Sequence, residues 1–152
     1  MKLRTVITLQ LAAIGSACST AVPEIDFCEV LTAAGKFEGR TFKTEIVAIP
    51  DYHGRFATDF QCEGRAIRFV DSSFKGAPQL QKFDDEMERA YSTREGRLPW
   101  KGVAVRVTAR VEKFSPPLPV YMLRLLDARD WKMVDIPSEV VHPPGGDKVP
   151  GL

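Results

Sequence analysis

The sequence predicts a mainly β domain: five strands in the order strand, strand, strand, helix, strand, strand, closed as a barrel and preceded by a short extra helix. Three observations carry this prediction. Five segments alternate apolar and polar residues with the period of a strand. One segment between the third and fourth strands repeats at helical spacing instead. Short runs of turn-forming residues separate the strands, which is the pattern of an antiparallel meander.

The elements follow in order. "DFCEVLTAAG" reads as a short helix, with Asp26 as N-cap, Glu29 three residues on as in a capping box, Phe27, Val30 and Leu31 as its apolar stripe, and Gly35 as its stop. In "TFKTEIVAI", Phe42, Thr44, Ile46 and Ala48 share one face, and Lys43 and Glu45 the other. Pro50 is expected to end regular pairing, and "DYHG" is turn chemistry. "RFATDFQC" is read as the second strand, with Phe56, Thr58, Phe60 and Cys62 in phase toward the core. "AIRFV" is the third, with Ile67 and Phe69 inward. A helix starts at Pro78 and places Leu80, Phe83, Met87 and Tyr91 close to one face, while Asp84, Asp85, Glu86 and Glu88 form a solvated one. "VAVRVTARVEKF" alternates most clearly: Val103, Val105, Val107, Ala109 and Val111 point one way, Arg106, Thr108, Arg110 and Glu112 the other. "SPPLP" is a stiff connection, and "VYMLRLLDA" is the fifth strand. From Pro137 the chain is rich in Pro and Gly and reads as a loose tail.

The first residues have the layout of a secretory signal. Lys2 and Arg4 precede a mostly apolar run, Val6–Ile14, and a stretch of small residues, Gly15–Ala21. The run is shorter than the roughly 20 residues needed to span a bilayer. Two cuts fit. Cleavage after Ser19-Thr20-Ala21 leaves Val22 as the new terminus. Alternatively, Cys18, preceded by Ser16 and Ala17, resembles the lipid-acceptor cysteine of a bacterial lipoprotein, although Gly15 stands where that pattern usually has leucine. The expected organisation is a signal peptide over 1–21, one domain over 22–136 and a tail over 137–152. The mature protein is thus expected to be periplasmic or secreted, or else lipid-anchored in the envelope, with no transmembrane span.

Either cut resolves the odd number of cysteines. With Cys18 removed or lipidated, Cys28 and Cys62 remain, and in an exported chain they are expected to pair. Cys28 lies on the first helix beside Phe27 and Leu31, and Cys62 at the end of the second strand, so both thiols aim at one helix–barrel seam. Losing Lys2 and Arg4 leaves 19 Lys/Arg against 20 Asp/Glu, a net charge near −1.

The element order is that of the OB-fold, a five-stranded, partly open Greek-key barrel. "FCEVLTAAGKFEGRTFKTEI", followed by "DFQCEGRAIRF", also resembles small exported bacterial OB-like proteins of unassigned role, in a cysteine-bearing helix, an aromatic-x-Gly turn, a strand and a second cysteine. The resemblance covers about residues 26–70. It implies a fold and a location, and no activity.

Nucleic-acid binding, common among OB-folds, is not expected. Phe42, Phe56, Phe60 and Phe69 are all assigned to the core, their outward neighbours are mixed in sign, and the chain lacks a basic footprint. Asp51, His53 and Asp59 are the only residues that suggest a metal site, and they read better as wet turn residues; no C-x-x-C or H-x-x-x-H spacing occurs. No cofactor is expected. No G-x-S-x-G turn is present, and no catalytic residue can be named. Tyr52, Trp100 and Trp131, near predicted strand ends, are candidates for a ligand-binding rim, with plain barrel capping as the alternative. The expected function is a non-enzymatic envelope or secreted domain that binds a protein, cell-wall or small-molecule partner. The alternative is an exported, hydrolase-like enzyme whose site is not visible in sequence.

Overall fold

A computed structural model describes residues 21–51, 54–70, 74, 76–93, 101–114 and 120–137. Residues 1–20, which include Cys18 and most of the expected signal segment, the residues Tyr52, His53 and Trp100, the connection over 115–119 and the chain from 138 lie outside the described residues.

Five strands close into a barrel: β1 (Thr41–Asp51), β2 (Gly54–Thr58), β3 (Ala66–Val70), β4 (Lys101–Phe114) and β5 (Val120–Asp135). The order around it is β1-β2-β3-β5-β4, returning to β1. All pairs are antiparallel except β3–β5, which closes the ring in parallel through Phe69 opposite Leu123 and Val70 opposite Arg124. This is an OB-like barrel, with one helix, α2 (Pro78–Ser92), between β3 and β4 and a short helix, α1 (Phe27–Thr32), before β1. A 3-10 turn, Ala34–Phe37, links α1 to the barrel.

The barrel core follows the alternation read from β1, β3 and β4. Phe42, Thr44, Ile46 and Ala48 are buried, as are Ile67 and Phe69, and Val103, Val105, Val107, Ala109 and Val111. Lys43, Glu45, Arg106 and Arg110 are exposed. Leu123, Leu125 and Ala128 complete the interior from β5.

The two helices close opposite ends. α1 lies where β1 begins and β4 finishes, called here the lower end. The Asp26 carboxylate accepts the Cys28 N–H at 2.8 Å, capping the helix, and Phe27 and Val30 plug the barrel. α2 covers the upper end, between the finish of β3 and the start of β4. Pro78 sits in its first turn, and Leu80, Phe83, Met87 and Ala90 are buried under it. Tyr91, expected on that face, is half-buried.

Several expectations need correction. Gly35 does not stop α1, which ends at Thr32; Gly35 sits in the 3-10 turn, where a Cβ would come within 2.9 Å of the Tyr121 hydroxyl. Pro50 does not end the pairing of β1, because it stays in register with Arg55 and needs only to forgo donating. β5 runs past Ala128 to Asp135, and a bulge absorbs the change in its pattern. The largest correction concerns β2. It ends at Thr58, so Phe60 and Cys62 lie in the turn to β3. Its phase is also opposite to that predicted. Ala57, opposite Ile67 and Ala48, faces the barrel interior, whereas Phe56 pairs with Arg68 and Ile49 on the outer face. Phe56 is buried all the same, with the Arg68 guanidinium 5.6 Å from its ring centroid. A phenylalanine beneath an arginine on an outer face gives the same sequence pattern as one in a core.

Candidate functional site

Of the three residues proposed for a ligand rim, Trp131 is described, in the second half of β5. The strand there carries an irregularity. Arg106 is opposite Arg129, and Ala104 is opposite Lys132, so β5 holds one residue more than β4 over this interval. The extra residue lets Asp130 adopt a left-handed backbone, φ 54°, the only non-glycine positive φ among the described residues. The bulge turns Trp131 toward α2, where its ring centroid lies 6.3 Å from that of Phe83, tilted by 54°. Trp131 is therefore half-buried and packed on the core, the capping role.

The rest of Trp131 borders an open groove of about 580 Å³, lined by Gln79, Arg129, Asp130 and Trp131. Gln79 comes from the first turn of α2 and Arg129 and Asp130 from the bulge. Their orientation is set by neighbours. Arg129 Nε donates to Asp127 Oδ2 at 2.7 Å. Asp130 lies 3.6 Å from a guanidinium nitrogen of Arg106, which also donates to Glu45 at 2.9 Å. That hydrogen bond to Glu45, more than the charges of Glu45 and Asp130, raises the Arg106 pKa above its ordinary value. The groove thus offers an aromatic ring, a primary amide, a guanidinium and a carboxylate. The sequence pointed to Trp131 only; nothing in it announced the bulge that brings Arg129 and Asp130 beside Gln79.

The disulfide is present. Cys28 and Cys62 are bonded, with Cα atoms 5.5 Å apart. Cys62 reaches α1 from the β2–β3 turn, not from a strand. Arg65, in the same turn, donates to the Thr32 hydroxyl at 2.7 Å, and that hydroxyl donates to the Cys28 carbonyl at 2.7 Å, so the seam is tied twice. An oxidising, extracytoplasmic compartment is the setting in which such a bond persists. Among the described residues no helix is long and apolar enough to cross a membrane.

The metal reading does not assemble. Asp51 ends β1 at the upper end, and Asp59 follows β2 at the lower end, so the length of β2 separates them; His53 lies outside the described residues. Asp59 instead accepts the Gln61 N–H at 2.8 Å and sits near the cystine, with one atom from each of Cys28, Asp59 and Cys62 mutually within 4.8 Å. Both sulfurs are committed to the disulfide. The acidic face of α2 is only partly solvated: Asp84 and Glu88 both bind Arg55 of β2, Glu88 at 2.9 Å, and the Arg55 guanidinium also lies 5.6 Å from the Phe74 ring centroid.

Compared with known proteins, the chain matches no family model, no curated protein and no solved structure. Of the expected resemblance, the fold alone is present: a five-stranded ring, loosely OB-like, with one helix between β3 and β4.

Proposed function

We propose that this is an exported, non-enzymatic binding domain that takes a cell-wall glycan in the groove beside Trp131. The observation that carries this reading is the juxtaposition of a half-buried indole with Gln79, Arg129 and Asp130 on a bulged strand. A sugar ring has an apolar C–H face and a rim of hydroxyls. An indole plane suits the face, and a planar amide, guanidinium and carboxylate suit the rim. Left-handed backbone at a non-glycine residue costs energy, and such strain collects at ligand sites. Among the described residues the groove lining contributes one carboxylate, Asp130, whereas glycoside hydrolysis ordinarily uses two, and this supports binding over hydrolysis.

The test is an NMR titration of the processed protein with soluble peptidoglycan fragments and chitooligosaccharides. Saturable shifts at Gln79, Arg129 and the Trp131 indole N–H are expected, reduced at least fivefold in affinity by Arg129→Ala with Gln79→Ala. Shifts elsewhere, or none with any fragment, would overturn the assignment. Slow cleavage of the fragments would favour the enzyme instead.

A further inference from the structure

The Cys28–Cys62 bond has carboxylates on both sides. Glu29 follows Cys28 and Glu63 follows Cys62, and both are exposed. Asp59 is within reach of the two sulfurs together: one of its carboxylate oxygens and both Sγ atoms all lie within 4.8 Å of one another. The turn after β2 fixes it there. The Asp59 carboxylate accepts the Gln61 N–H at 2.8 Å, and its backbone carbonyl accepts the Cys62 N–H at 2.9 Å. The same turn that delivers Cys62 to α1 therefore aims the carboxylate back at the cystine.

The features that usually activate a cysteine are opposed here. Thiolates are favoured at helix N-termini and beside cations. Cys28 sits in the first turn of α1, but its N–H is already taken by the Asp26 carboxylate at 2.8 Å, so that helix end carries a negative charge of its own. The nearby cation is Arg65, whose guanidinium donates to the Thr32 hydroxyl at 2.7 Å. The two segments that carry the cysteines, 26–32 and 59–65, hold four carboxylates, Asp26, Glu29, Asp59 and Glu63, against the one guanidinium of Arg65.

Thiol–disulfide exchange needs an anion at this place. The attacking thiolate bonds to one sulfur, the S–S bond breaks, and the electron pair leaves on the other sulfur, which then takes a proton from water. The second thiol of a dithiol reductant displaces the first in the same way and departs as the oxidised disulfide. Cys62 is 8% exposed and Cys28 half-buried, so attack falls on Cys28 and the charge is left on Cys62. Both sulfurs feel the Asp59 charge. Two like unit charges at this separation slow the reaction by roughly fourfold even at the dielectric of water, and by more where water is partly excluded.

We propose that Asp59 is an electrostatic guard on the cystine, one that slows exchange with external dithiols and so keeps α1 plugged into the barrel. Near pH 7 the thiols of the reduced protein are mostly neutral, so the carboxylate acts on the anionic transition state and hardly on the end states. This does not depend on the groove beside Trp131. The test variant is Asp59→Asn, which keeps a side-chain oxygen for the Gln61 N–H and removes the charge. The oxidised parent and variant are reduced with excess dithiothreitol at pH 7, and free thiols are counted by alkylation and mass. At about 10 mM salt the variant should be reduced at least threefold faster. At about 1 M salt, where screening acts over roughly 3 Å, the difference should close. The melting temperature of the oxidised protein, and the equilibrium with reduced and oxidised dithiothreitol, should be the same for both. If the variant folds poorly, the parent alone serves, because its own reduction should accelerate over this salt range; an indifferent rate would overturn the proposal. So would equal rates for parent and variant, or a difference that persists at 1 M salt. Faster reduction joined to a lower melting temperature or a shifted equilibrium would make Asp59 a structural residue of the turn instead.

Discussion

The two ends of the barrel are closed by different means. At the upper end, α2 has 15 residues and buries Leu80, Phe83, Met87 and Ala90. Apolar area fastens it, and Arg55 adds ion pairs to Asp84 and Glu88. At the lower end, α1 has six residues and buries two, Phe27 and Val30. A helix that short does not persist alone, because nucleation costs more than so few hydrogen bonds return. The Cys28–Cys62 bond, reinforced by Arg65 on Thr32, supplies what apolar area cannot. Where an element can bury a full stripe, packing holds it; where it cannot, a covalent tie takes over.

The comparison can be broken first at what both ends share. Val107 is buried in the core, and its neighbour Arg106 is exposed. Val107→Asp places an unpaired charge there, at a cost of about 4 kcal/mol or more, and should prevent folding. Arg106→Asp should leave a folded protein. Circular dichroism and the melting temperature of the two variants check the strand phase; equal behaviour would refute it.

Next comes the upper seam. Phe83 is fully buried and touches Trp131, so Phe83→Ala should cost about 3–5 kcal/mol in urea unfolding. Because Trp131 loses its support, the same variant should weaken the glycan binding proposed for the groove. The lower seam follows. Cys28→Ser with Cys62→Ser frees a 34-residue loop, with an expected loss of about 2–4 kcal/mol. If α1 depends on the bond as argued, hydrogen exchange should accelerate over Phe27–Thr32 far more than over α2. Similar acceleration in both helices would mean that the ends are not independently held.

Two smaller effects sharpen the picture. Arg55→Met removes ion pairs to two carboxylates, of which Glu88 is 65% exposed, so about 1 kcal/mol is expected. A double-mutant cycle with Asp84→Asn measures it. The smallest effect is acid-dependent. The hydrogen bond from Arg124 holds the Glu112 carboxyl below its ordinary 4.5, against a smaller opposing effect of burial. A carboxyl with a depressed folded pKa adds stability that is present above the unfolded value and is lost as pH falls through the folded one. Glu112→Gln should therefore lower stability slightly at pH 7, and the difference from the parent should shrink as pH falls below the ordinary glutamate range and through the depressed folded pKa.

The candidate site was legible in part. Trp131 could be singled out because an aromatic near a strand end is a recognisable signal. Arg129 and Asp130 could not, because a bulge leaves no mark in alternation: β5 was read as ending at Ala128, where in fact it bends and continues.

Strand order, the inward faces of β1, β3 and β4, the amphipathic α2 and the pairing of Cys28 with Cys62 were determined by the sequence alone. Each depends on local periodicity or on cysteine chemistry, which a linear string records. The phase of β2 was decided by the tertiary structure. A strand five residues long has too little alternation to fix which face is inner, and Phe56 is buried on the outer face between Ile49 and Arg68 of its neighbouring strands, with the Arg68 guanidinium over its ring. The groove belongs to the same class, for it forms where Gln79 of α2 meets Arg129, Asp130 and Trp131 of β5, and the register that places the bulge is not written in either strand by itself.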